Sequence, residues 1–371
     1  LSVVRRARSI AVVDGGSFVL PYDFQLVQAL AGQGLDVHFY GSRTRYNGEF
    51  LEAMRDTPGV TVHAAGVSGT VAPRWKGASA YVGLLLQVLR ARHDVVNLQF
   101  SAWWPPELPL LWPLRQQLVY TVHNAVPHGH AGQQHAPTRW LASMARSLVF
   151  VSEATHDDFM RRYGERFRAK SQVLPHGLLP VAPGLGATPF QAEARARSLG
   201  VWGPVKPYKG VELFAELARS ARIRALGLTL EVCGAWDASL APLRRELADL
   251  GVVIHDRYLD HAELQALLAR DAVFLLPYRD ASQSGALYSL LNHGRPFICA
   301  DTGDLGAFMR RHGLEPLLLR ERSADAVADS LEYLQAHHET VMQAFQRAQQ
   351  ASRWERLIAE HGRAYGLGSG N

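Results

Sequence analysis

Short apolar runs alternate with amphipathic stretches along almost the whole chain. In the first half, Ser9–Val13, Asp36–Tyr40, Val60–Ala64, Val95–Phe100, Leu118–His123 and Leu148–Ser152 have the length and β-branched content of buried strands. Between them, Tyr22–Ala31, Ala78–Arg92 and Thr155–Tyr163 repeat apolar residues at helical spacing. The segment Pro180–Pro189, P-V-A-P-G-L-G-A-T-P, breaks the pattern and reads as an interdomain linker. The alternation then restarts, with strands at Thr229–Cys233, Val252–His255, Ala272–Leu276 and Phe297–Ala300. The matching helices are Gly210–Ala221, Ser239–Leu250, Ala262–Arg270 and Ser323–Gln335. Two successive strand–helix series predict an α/β chain of two doubly wound, parallel-sheet, Rossmann-like domains facing a cleft, with ligands at the carboxyl ends of the strands. The expected division is 1–182, 183–350 and a C-terminal helix over 351–371 that can cross back to the N-terminal domain.

Composition changes this picture little. The 371 residues are 47% hydrophobic and 20% charged, enough for two separate cores. Cys233 and Cys299 lie in apolar runs and read as core residues of a reducing compartment, without metal spacing. The first apolar run ends at Val13, and no stretch approaches the ~20 residues of a membrane span. The expected location is cytoplasmic, peripheral on the cytoplasmic face of the inner membrane. Charge is uneven: residues 1–185 carry 18 Lys+Arg against 12 Asp+Glu, and residues 186–371 carry 21 against 22. An anionic partner for the first half follows. No basic-aromatic or zinc pattern points to nucleic acid, and anionic lipid or a lipid-diphosphate acceptor fits better.

Four segments carry chemistry. Trp202–Gly210, W-G-P-V-K-P-Y-K-G, sets Lys206 and Lys209 beside a predicted strand end, with Gly210 opening a helix. Two ammonium groups at a helix start suit a doubly charged phosphate, although no Walker loop is present. Pro277–Gly303 contains Ser282-Gln283-Ser284-Gly285 before a helix running to Asn292, a second anion-suited helix start. In the first half, Gly15-Gly16 follow the first strand, where glycines admit a ligand close to the backbone. Leu118–Gly129 delivers His123 and Asn124 to a strand end, with His128 in the loop beyond. His123 can donate to a hydroxyl or phosphate, or act as a general base near neutral pH. His176, in V-L-P-H-G, stands just before the linker.

These segments resemble the retaining glycosyltransferases of family 4, of the two-domain GT-B type. The likeness rests on the G-G loop, H-N-x-x-P-H, V-S-E at Val151–Glu153, V-L-P-H-G, P-Y-K-G, Q-S-G and G-R-P-F-I, and spans nearly the whole chain. It implies that Lys206 and Lys209 grip a donor diphosphate and that Ser282–Gly285 form the donor-sugar loop. The family's two glutamates, seven residues apart, are missing. The second falls at Ser289 or Leu290, and the first within Ala281–Ser284. A Ser289 hydroxyl is a weaker partner for ribose than a carboxylate.

The expected activity is transfer of a hexose from a nucleotide-diphosphate sugar to a glycan or polyprenyl-diphosphate-linked acceptor, as in bacterial cell-surface polysaccharide assembly. Lys206, Lys209 and His123 would act in catalysis, with Gly15, Gly16, Gly210 and Ser289 also at the donor, and Asn124, His128 and His176 on the acceptor side. No D-x-D motif appears, so neither metal nor cofactor is expected. The alternatives are a non-catalytic nucleotide-sugar-binding homologue and a GT-B-like nucleotide-sugar epimerase. Two segments can meet a membrane surface: Lys76–Arg92, a basic-ended apolar helix, and Ser101–Leu114, with Trp103, Trp104 and Trp112. Otherwise they are a core helix and a buried strand-end loop.

Overall fold

The computed structural model describes residues 8–44, 46–66, 74–126, 135–191, 196–281 and 284–366. They form two compact units, Leu1–Gly177 with Arg353–Asn371, and Leu178–Ser352.

The first unit holds a parallel sheet of β1 (Ser9–Asp14), β2 (Asp36–Ser42), β3 (Val60–Ala65), β4 (Val95–Phe100), β5 (Leu118–Val122), β6 (Ser147–Phe150) and β7 (Ser171–Val173). Its order is β3-β2-β1-β4-β5-β6-β7. The second unit repeats the plan with β8 (Ser198–Trp202), β9 (Thr229–Cys233), β10 (Val253–His255), β11 (Ala272–Leu276), β12 (Phe297–Ala300) and β13 (Leu318–Leu319), in the order β10-β9-β8-β11-β12-β13. Central strands such as β5 and β11 are buried at every residue. They therefore read as continuous apolar runs, as strands covered on both faces do. In each sheet the order reverses beside the first strand, between β1 and β4 and between β8 and β11. Loops leaving the two strands part there and open a crevice.

Several local expectations change. Val151-Ser152 do not extend β6: Ser152 caps the helix Glu153–Tyr163, its hydroxyl accepting the Thr155 N–H at 3.1 Å. Gly210 does not open a helix. It is left-handed (φ 68°) and closes the short 3-10 turn Pro207–Lys209, and the helix starts at Leu213. Trp104–Leu111 is a helix despite three prolines. Pro105 and Pro106 occupy its first turn, where a missing N–H costs nothing, and Pro109 lies inside. The Pro- and Gly-rich stretch read as a linker packs on the second unit. Leu179 N–H donates to Tyr288 O (3.4 Å) and Thr188 N–H to Asn292 O (2.8 Å). Arg74–Ala91 is a core helix, burying Tyr81, Leu84, Leu85 and Val88. Among the described residues no helix is long and apolar enough to cross a membrane.

Candidate active site

In the second unit the switch point is built by the loops after β8 and β11. The Arg279 N–H donates to Tyr208 O at 2.7 Å, binding the two loops together. At Gly210 a Cβ would stand 2.0 Å from Pro277 O, so only glycine permits this approach. The turn buries Lys209 (6% exposed). Its Nζ donates to Trp202 O at 3.4 Å and lies 5.4 Å from the centre of the Tyr278 ring. Burial pulls its pKa below the ordinary lysine value. Among the described residues no carboxylate reaches ion-pair distance of this ammonium. Tyr278 is pushed up to about 12 by burial, with a hydrogen bond to Ser284 opposing. Lys209, Gly210, Tyr278 and Ser284 thus meet in one place.

Lys206 stands at the rim, half exposed, its Nζ 3.3 Å from Asp237 Oδ2. Hydrogen bonds from Ser239 and the Lys206 ammonium hold the Asp237 carboxyl below its usual range. Glu212 collects Arg279 at 2.7 Å and Arg322 at 3.4 Å, two cations beside the turn that sequence reasoning passed over. Ser284 caps the helix Gly285–Asn292 by accepting the Leu287 N–H at 3.4 Å. Ser289 lies buried on that helix, while Ser282 and Gln283 fall outside the described residues.

A buried carboxyl, Asp304, also escaped notice. It sits after β12 in the first turn of the helix Gly303–Arg311 and accepts the Tyr288 hydroxyl at 3.4 Å. Burial raises it from 3.8 to about 6. A raised carboxyl favours the unfolded state once that state ionises, so stability falls as pH rises from 3.8 to about 6 and stays lowered above. Asp304→Asn should therefore stabilise the protein at pH 7.5 by at most about 3 kcal/mol and gain nothing at pH 3.5. Urea melts at the two pH values check this.

In the first unit, Gly15 and Gly16 follow β1 as expected, but what lies against them is the chain itself. A Cβ would stand 2.1 Å from the Tyr81 ring at Gly15 and 2.3 Å from the Phe18 ring at Gly16. Their smallness answers to internal packing at these two rings. Asp14 accepts the Val19 N–H at 3.0 Å, and the Asp23 carboxyl lies close to its own. Both are fully buried. Burial and the neighbouring Asp14 push Asp23 well above the ordinary range, making it the proton-bearing partner.

His123 follows β5 directly, 2% exposed, and stacks on Phe100 at 4.8 Å. Its Nε2 bonds Gln99 Oε1 at 2.8 Å, and Nδ1 has no partner among the described residues. Burial and the nearby His176 lower it to about 3. The ring is therefore neutral and an acceptor at Nδ1. His176, lowered to about 4 by burial, bonds Gly177 O at 2.7 Å. The Tyr22 ring touches His123 (5.2 Å), His176 (4.9 Å) and Trp354 (5.2 Å). The helix Trp354–Ala364, packed on the helix Leu20–Gly32, adds His361, whose Nδ1 lies 3.3 Å from the Tyr365 hydroxyl. Tyr365 in turn reaches Asn97 Oδ1 at 3.4 Å, and Asn97 meets Gln99. No short-range pattern announces Asp23, His361 or Tyr365, because their partners are remote in sequence. Asn124 is half-buried, and His128 lies outside the described residues.

Glu231, Cys233 and His255 are close enough to hold a metal ion. Arg270 already pairs with Glu231 at 3.0 Å, and burial pushes the Cys233 thiol up to about 11, against the thiolate a soft ion needs.

Two doubly wound parallel units, one with a buried ammonium at its switch point, are the plan of the GT-B fold. The glycosyltransferase family 4 model matches residues 23–178, and the glycosyl transferases group 1 model matches residues 196–337. The chain belongs to the family 4/group 1 glycosyltransferases. No curated protein sequence matches it. Among solved structures it is similar to sucrose-phosphate synthase from Thermosynechococcus elongatus, at 18% identity over 97% of this chain and 98% of that one, with a TM-score of 0.67. It is similar to HepE of Anabaena in complex with UDP-glucose, at 14% over 97% and 98%, TM-score 0.66. WaaG, a glycosyltransferase of lipopolysaccharide biosynthesis, matches at 13% over 98% and 100%, TM-score 0.61.

Proposed function

We propose that this protein moves a hexosyl group, with retention, from a nucleotide-diphosphate sugar to a glycan or lipid-linked acceptor. The observation that carries the reading is Lys209, a buried ammonium without a carboxylate among the described residues, placed where the strand order reverses. A buried cation calls for an anion. The HepE structures, which hold UDP and UDP-glucose, support a nucleoside diphosphate as that anion.

In the reaction the bond from the sugar C1 to the phosphate oxygen breaks as the acceptor oxygen bonds to C1. The acceptor proton passes to the departing phosphate, and the nucleoside diphosphate leaves. Lys209, with Lys206 at the rim, stabilises the charge growing on that phosphate. This arrangement gives the two lysines the role a metal has elsewhere. The unprotonated Nδ1 of His123 suits a hydroxyl of sugar or acceptor, as a hydrogen-bond acceptor and not as a base. Ser289, in place of the second glutamate, favours one rival: a homologue that binds nucleotide sugar without turning it over. The test is release of UDP, GDP or dTDP from the matching sugar nucleotides with an acceptor present, in EDTA. Release is expected to persist in chelator. A rate restored only by Mg²⁺ or Mn²⁺ sinks the lysine account, and binding without release selects the non-catalytic rival.

A further inference from the structure

The outward side of the helix Trp104–Leu111 carries no polar side chain. Trp104, Pro105 and Pro109 are exposed along it, and Trp112 and Pro113 continue the same side in the following 3-10 turn. Exposure is 41% at Trp104, 43% at the adjoining Trp103 and 59% at Trp112. Trp140, 50% exposed on the helix Ala136–Met144, meets Trp104 edge to face at 5.8 Å. Four of the chain's eight tryptophans therefore stand in solvent on neighbouring elements, where a packed domain would bury them.

This exposure is built from beneath. Glu107, fully buried on the opposite side, accepts the Tyr81 hydroxyl (2.5 Å), the Ser101 hydroxyl (2.5 Å) and the N–H groups of Ala102 (2.7 Å) and Trp103 (2.9 Å). Those bonds fix the corner from which Trp103 and Trp104 project, and the prolines stiffen it. Along the segment that carries the face the exposed charge has one sign. From Ser101 to Ser152 the only acidic residue is the buried Glu107, while Arg115, Arg139 and Arg146 are exposed. The Arg115 guanidinium lies 5.1 Å over the Trp112 ring.

We propose that this face docks on an anionic lipid bilayer, the tryptophans seated at headgroup level and Arg115 and Arg139 against the headgroups. Tryptophan favours that interface, and cations beside it are drawn to anionic lipid. A second copy of the chain, packed through the same face about a two-fold axis, would set arginine against arginine. The inference rests on the reading of a lipid-linked acceptor for its purpose, but its test involves no turnover.

The full chain is sedimented with phosphatidylcholine vesicles with and without phosphatidylglycerol. Binding is expected only with the anionic lipid, weakening with salt, and brominated acyl chains should quench tryptophan emission. Trp112→Ser, at the most exposed of the four tryptophans, should lower the bound fraction, and Trp104→Ser with Trp140→Ser should lower it by ~10-fold. Arg115→Gln with Arg139→Gln should remove the preference for phosphatidylglycerol. An unchanged melting temperature certifies the fold of each variant, and Trp104→Phe should retain binding if the double variant unfolds. No vesicle binding, equal binding to neutral vesicles, or quenching by oligosaccharide or self-association in place of lipid overturns the proposal. Vesicle binding without glycosyl transfer would leave this surface standing and remove the functional reading. Transfer to a soluble acceptor without vesicle binding would do the reverse.

Discussion

Lys209→Ala is expected to slow glycosyl transfer by ~10²- to 10³-fold without destabilising the protein, the scale of losing one preorganised donor to a developing anion. The two effects separate because Lys209 is a buried charge whose described contacts are a carbonyl at 3.4 Å and an aromatic ring. Without an anion its burial is a cost, as its lowered pKa records. Removing it relieves that cost while discarding the group that meets the leaving phosphate. Lys209→Met, closer in volume, should be as slow and at least as stable as wild type. Lys206→Ala should be milder, since Lys206 is half exposed and shares its charge with Asp237. Turnover and urea melts on the same preparations decide the point. Wild-type turnover, or a loss that merely follows unfolding, removes the diphosphate assignment.

The second large effect is loss of stability in mild acid. His123, His176 and His361 are buried in the first unit and lowered to about 3, 4 and 3. Their folded pKa values lie below the unfolded 6.5, so the stability they carry is complete above pH 6.5. It is lost as pH falls toward the folded values, because only the unfolded chain takes up the protons. Each ring contributes a slope of up to about 1.4 kcal/mol per pH unit. Asp23 works in the opposite sense: it keeps its proton when folded and loses it when unfolded. Between pH 6.5 and 5.5, where the unfolded rings are only partly protonated, the three together lose about 3 kcal/mol, which the raised Asp23 and Asp304 carboxyls partly offset, against a total stability of ~5–15 kcal/mol. His361→Phe should flatten the slope by about one proton. A urea midpoint independent of pH between 7.5 and 5.5 would refute the buried neutral cluster.

What the sequence disclosed and withheld follows from how local each cause is. Strands buried on both faces appear as apolar runs, so the two parallel sheets were legible, whereas the strand order that sets the reversal beside β1 and β8 was not. The turn at P-Y-K-G and the helix start at Ser284–Gly285 were legible as well, each being set by contiguous residues. The conformation of Gly210 was not, because the Pro277 carbonyl that imposes it comes from another strand. The strands β7 and β13, three and two residues long, are too short for any periodicity to register. Ser101–Leu114 misled because its prolines look like loop signals, whereas two of them occupy a first helical turn. The carboxyl pair Asp14–Asp23 and the chain from His123 to His361 join residues brought together only by the completed fold.

The path of the backbone has a bearing on synthesis. The second unit is one uninterrupted stretch, Leu178–Ser352, whose first and last residues are joined by a 3.0 Å bond from Leu178 N–H to Ser352 O. The first unit is split, and its last helix supplies His361 and Tyr365 to a network otherwise made before residue 178. On the ribosome, where units ordinarily mature from the N-terminus onward, this order is inverted. The downstream unit has all its residues while the upstream one still waits for its closing helix, so a chain stopped at Ser352 would release a finished second unit tethered to an incomplete first.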